Sequence, residues 1–134
     1  MKKLVMMMAA LCAFGVSFAV AQTEAELEKG MKELGKLNGT VRKADPKTGL
    51  EVAAMADKMV AIYAVSKGYW EKKGVADAVK WSADGHAAAL ELGEGAKGGD
   101  AAKVGGALSK LGGTCKGCHE AHREKLADGT YKIK

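Results

Sequence analysis

The sequence predicts an all-α fold, an antiparallel four-helix bundle, and three observations predict it. Beyond residue 21 the chain has one proline, no phenylalanine and an abundance of Ala, Leu, Lys and Glu, a composition that favours helix over sheet. The helix boundaries are punctuated by capping boxes and glycine stops. Between those boundaries apolar residues recur at spacings of three and four, with no strand alternation, internal repeat or low-complexity linker.

The first helix opens on Thr23-Glu24-Ala25-Glu26, a capping box with Thr23 as N-cap and Glu26 three residues on. It carries Leu27, Met31, Leu34, Leu37 and Val41 on one stripe and stops near Ala44, because Pro46 disfavours helix in the residue before it. Thr48-Gly49-Leu50-Glu51 reads as a second capping box. The second helix then buries Val52, Met55, Met59, Ile62, Tyr63 and Trp70, and ends at Gly74 behind the basic pair Lys72-Lys73. A third helix spans residues 75–92, with Val79, Ser82, His86 and Leu90 on its inward stripe and Gly85 as its weak point. Gly98-Gly99 breaks the chain, and Asp100 caps the last helix. Val104, Leu108, Leu111, Cys115, Cys118 and His122 follow there at unbroken a/d spacing. Four helices with short connections pack best as an antiparallel bundle.

The N-terminal residues are set apart from this bundle. Lys2 and Lys3 precede an apolar run from Leu4 to Val20, and Ala19-Val20-Ala21 is an A-x-A cleavage site. This reads as a secretory signal peptide over residues 1–21. The run is short for a membrane span and lacks aromatic or basic anchors at its end. Leu11 stands where lipoprotein processing at Cys12 would need a small residue. The expected localisation is the periplasm, with no stable membrane insertion after cleavage. Removing 21 of 134 residues leaves 113, enough for one domain over 22–134, and lowers the formal charge from +5 to +3. No basic block is dense enough to argue for nucleic acid.

The chemistry lies in Cys115-Lys116-Gly117-Cys118-His119, which has the spacing of a covalent c-type haem site. Positions i and i+3 of a helix share a side, so both cysteines can form thioethers to the vinyl groups of one haem. His119 lies one turn after Cys115 and can reach the iron as proximal ligand. A Cys-x-x-Cys can also be a redox dithiol, half a zinc site or a structural disulfide. The cleaved chain has no further cysteine to complete a zinc site or a disulfide framework, and the motif has no strand-rich context. The cysteines fall on the inward stripe, so one covalent haem c belongs in the bundle core.

The glycines cut against helix stability. Gly30, Gly35, Gly39, Gly105, Gly106, Gly112 and Gly113 fall inside helices, each at up to about 1 kcal/mol relative to Ala. The expectation is a haem-free protein that folds poorly.

Cys115 to His119 followed by Arg123, on the last helix of a four-helix bundle, resembles the C-x-x-C-H-x-x-x-R pattern of the cytochrome c-prime family. Tyr69-Trp70-Glu71-Lys72-Lys73 with Asp77-Ala78 is similar to the junction of its second and third helices. Met31 to Gly35 and Val41 to Ala44 resemble its first helix. The chain departs from the family at His122, where an aromatic residue is usual. The resemblance implies one of two types. High-spin members leave the distal side apolar and bind small gases such as nitric oxide or carbon monoxide. In low-spin members a methionine of the first helix ligates iron and the protein transfers single electrons. Met31 matches that methionine. The resemblance also implies a homodimer through the first two helices.

The alternatives for the sixth ligand are few: Met31, Met55, Met59 and His86, since His122 is on the same helix as His119. Met31 lies on the core stripe, and its thioether is a good haem ligand, though a methionine at helical spacing also serves as plain packing. Met55 and Met59 read as core, and His86 as a half-buried histidine or a bis-histidine ligand. Arg123 reads equally as a propionate partner or a solvated helix-end charge, and His122 as a pH-sensitive neighbour of the haem or a solvent-facing ring. The expected function is electron transfer through a His119/Met31-ligated low-spin haem, with periplasmic redox proteins as partners. A five-coordinate gas-binding haem is the alternative. No distal acid–base pair suggests an enzyme.

Overall fold

The computed structural model describes residues 23–134, and the expected signal peptide lies outside the described residues. Four helices are present: α1 (Glu24–Lys43), α2 (Leu50–Lys73), α3 (Ala76–Lys97) and α4 (Ala101–His122). Each packs on the next in chain order, and the short connections make them antiparallel, so the all-α four-helix bundle expected from the sequence is formed.

Local chemistry explains most boundaries. Thr23 and Glu26 form the expected capping box, with Glu26 N–H donating to the Thr23 hydroxyl and Thr23 N–H to the Glu26 carboxylate. Gly74 ends α2 in the left-handed region at φ 73°. The Asp100 carboxylate accepts from Lys103 N–H at the start of α4. The second capping box is not formed. Gly49 is the N-cap of α2 at φ 105°, its own N–H donates to the carbonyl of Ala96 at the end of α3, and Thr48 caps nothing. The third helix runs five residues past the expected stop at Leu92, to Lys97, because only Gly98-Gly99 breaks it.

One core cluster runs along the bundle around Val41, Met59, Leu92, Val104 and Leu111, all fully buried. Burying a side chain of that size is worth roughly 1.5–3 kcal/mol. α2 and α3 approach closely because small residues face each other. Ala56 lies against Gly93, and the hydroxyls of Ser66 and Ser82 hydrogen-bond at 2.8 Å. A second cluster of Leu27, Tyr69, Trp70 and Ala78 closes the end where α1 begins and α4 finishes. Leu90, expected on the inward stripe of α3, is 47% exposed: the close α2–α3 contact takes the alanine face, Ala88, Ala89 and Ala96, instead.

A short hairpin follows α4 and was not expected. β1 (Arg123–Lys125) pairs antiparallel with β2 (Tyr131–Ile133), Arg123 opposite Ile133. Leu126 N–H donates to Thr130 O across a turn containing Gly129 at φ 85°. Ile133 packs on the second cluster, and Lys134 N–H donates to the His122 carbonyl, so the hairpin caps the C-terminal end of α4.

Candidate haem-attachment site

Cys115, Cys118 and His119 lie within the last two turns of α4 as expected, and i, i+3 and i+4 put all three on one side of that helix. They are half-buried, whereas Val104, Leu108 and Leu111 further up the same stripe are buried. Gly117 lets the motif helix lie against α3, since a Cβ there would fall 2.6 Å from Cζ2 of Trp81.

The electrostatics suit covalent haem binding better than thiol redox work. Burial, with Asp77 and Cys115 adding to it, pushes the Cys118 thiol up to about 11. Redox-active dithiols need the opposite shift. Burial, helped by the Arg123 charge, lowers the pKa of His119 and holds its imidazole in the neutral form that can ligate a metal. No group of three or more His, Cys, Asp or Glu among the described residues is placed to hold a metal ion, so the motif has no partner for a zinc site. Two thiols and an imidazole on one side of one helix fit a covalent haem with histidine as its protein donor to iron.

Neighbouring side chains fix the motif from three directions. The Tyr63 hydroxyl, from α2, lies 3.6 Å from the Cys115 sulfur. His122 Nε2 lies 2.8 Å from the Asp77 carboxylate in the first turn of α3, and its ring lies 5.1 Å from that of Trp70. Its side chain is 15% exposed, which removes the solvent-facing reading. The hydrogen bond to His122 holds the Asp77 carboxyl below the usual carboxylate range. The Arg123 guanidinium lies 4.0 Å over the ring of Tyr131. His86 is half-buried on α3, Met59 is fully buried, and Met55 is packed against the main core.

Met31 is half-buried on α1, where it touches both apolar clusters. Its place relative to α4 follows from one hydrogen bond, Arg42 Nη2 to the carbonyl of Leu108 at 2.8 Å. Eleven residues separate Arg42 from Met31, and eleven separate Leu108 from His119. α1 and α4 run in opposite directions, so both steps lead about 16 Å down the bundle. Eleven residues are close to three whole turns, which keeps each residue on the face where its step began. On straight helices these steps bring Met31 and His119 to about the same level of the bundle.

Tyr63 and Asp77 were not recognised in the sequence as site residues. Tyr63 read as core and Gly85 as a weakness, and nothing in the linear pattern pairs a glycine of one helix with a tyrosine of another. The hairpin did carry a signal, Asp128-Gly129, a dipeptide that favours tight turns.

A family model described as Cytochrome C' matches residues 18–123. Over 49 residues the chain is 61% identical to a curated protein named Cytochrome c' from Pararhodospirillum photometricum. That stretch is 37% of this chain and 36% of the relative's own length. No solved structure matches significantly.

Proposed function

The chain belongs to the cytochrome c' family and so carries one covalently attached haem c; from that premise we propose that it is an electron carrier whose iron is held between His119 and Met31. The haem, when bound, supplies a one-electron couple at iron. Cys115 and Cys118 would tether it, and the imidazole of His119 and the thioether of Met31 would be its two protein donors to iron. The observation that supports this reading is the Arg42–Leu108 hydrogen bond, from which eleven-residue steps along straight helices bring Met31 and His119 to about the same level. Two ligands on separate helices of one bundle keep the coordination geometry steady between oxidation states, which favours fast electron transfer.

The basic start, apolar run and A-x-A site of residues 1–21 support an exported, periplasmic carrier. Among the described residues no helix is long and apolar enough to cross it. Its partners are periplasmic redox proteins met through small, short-lived interfaces.

The family match favours a second reading, a five-coordinate haem that takes nitric oxide or carbon monoxide. Met31, packed between two apolar clusters, would then be a lid over the distal side. Optical spectra of ferric and ferrous holoprotein, with and without carbon monoxide, separate the two. Electron transfer through His119 and Met31 requires a low-spin spectrum that carbon monoxide leaves unmoved. Met31→Ala then becomes high-spin and binds the gas. A high-spin wild-type spectrum that shifts with carbon monoxide overturns the first reading in favour of the second.

A further inference from the structure

We infer that Tyr63 is a positioning residue for haem attachment, its hydroxyl holding the Cys115 sulfur, whenever the poorly stable haem-free bundle closes, in the orientation from which the thioether forms. The inference rests on the reading of Cys115 and Cys118 as the two attachment points.

Tyr63 belongs to α2, which packs on α1 and α3, and Cys115 belongs to α4, across the bundle. The side chain reaches that far because α3 yields to it. Gly85 of α3 is buried, and a Cβ there would collide with the tyrosine ring, with Cδ1 at 2.7 Å. The ring lies against α3 at this glycine, is 5% exposed, and sets its hydroxyl 3.6 Å from the Cys115 sulfur. That distance is within hydrogen-bond range for the large sulfur atom. Burial, reinforced by Cys115, raises the phenol pKa, so the hydroxyl keeps its proton. Cys118 has no hydrogen-bond partner among the described residues, so the two cysteines of the motif are held unequally.

The chemistry explains why this orientation matters. The cysteine S–H adds across a vinyl double bond: the carbon–sulfur bond forms, the S–H bond breaks, and its hydrogen ends on the outer vinyl carbon. Nothing is oxidised or reduced. A cysteine side chain otherwise has three staggered rotamers, and a hydrogen bond selects one of them. After attachment the sulfur is an acceptor only, and the Tyr63 O–H donates to it. Packing alone would be served as well by phenylalanine, which fills the same notch without the hydroxyl.

The test is Tyr63→Phe in the exported, maturing protein, with peptide mass mapping of the holoprotein to count attachment at each cysteine. The expected result is a selective loss at Cys115, its attachment relative to Cys118 falling about fivefold, the factor a single net hydrogen bond supplies. Gly85→Ala keeps the hydroxyl but displaces the ring, and should give the same selective loss should the phenylalanine variant not accumulate. Unchanged attachment at both cysteines, or equal loss at both, overturns the positioning role. Wild-type protein whose haem is released by denaturation would overturn the attachment reading, and this inference with it. That result is visible before any variant is made.

Discussion

The Arg42 guanidinium on α1 donates to the carbonyl of Leu108 on α4 at 2.8 Å, a contact between residues 66 apart in the chain. Gly112, one turn below Leu108, lies beside it, and a Cβ there would make ordinary contact with Arg42 Nη2 at 3.4 Å. The bond ties the first and last helices together at the end opposite the haem motif, and so sets their register along the whole bundle.

Arg42→Ala should therefore cost about 1.5–3 kcal/mol, the range of a hydrogen bond made by a charged group. Denaturant unfolding of the holoprotein measures the loss. If Met31 ligates iron, the variant should also show a fraction of high-spin haem in the optical spectrum, because α1 is then free to shift along α4.

Two pairs of helical glycines should respond in opposite directions. Gly105 and Gly106 are exposed on α4 with nothing near a would-be Cβ. Alanine at either should raise stability by up to about 1 kcal/mol with haem content unchanged. Gly85 and Gly117 are occupied from outside, by the rings of Tyr63 and Trp81 respectively. Gly117→Ala should cost about 1–3 kcal/mol as the indole or the helix gives way, and should lower haem content as well. Thermal melts and haem-to-protein absorbance ratios distinguish the two behaviours.

The Asp77–His122 contact should show itself in acid. The folded-state pKa of Asp77 lies below the ordinary 3.8, so its contribution to stability is fully present above that value. It is lost as pH falls through the lowered folded-state value. Asp77→Asn should therefore be less stable than wild type at pH 5–6, and the difference should shrink as the pH drops below about 4. Denaturation midpoints compared from pH 3 to 6 provide the measurement. A difference that stays constant over that range would assign the effect to packing.

The functional motif and most of the helix boundaries were legible because their signals are local. Thr23 and Glu26, Gly74, and Asp100 each act on a backbone group within a few residues, so short-range chemistry decides them. Thr48 failed where the same logic was applied, because the N–H of Gly49 is taken by Ala96, a residue from the far end of α3. Leu90 was misplaced for a similar reason: helical spacing gives a stripe, but which neighbouring stripe faces the partner depends on how closely the helices approach. The hairpin escaped notice because its three-residue strands are almost wholly exposed and too short for the single apolar–polar–apolar step Tyr131-Lys132-Ile133 to stand out.

Cys115, Cys118 and His119 share a side of α4 by helix geometry, so the sequence alone determined the haem motif, the all-α class and the candidacy of Met31. The tertiary structure decided what surrounds them: the tie of Arg42 to Leu108, the reach of Tyr63 past Gly85 to Cys115, and the hold of Asp77 on His122. Each of these joins residues on different helices, and their meeting depends on interhelical distance and register. Those are set by the summed packing of many side chains, which no window of sequence contains.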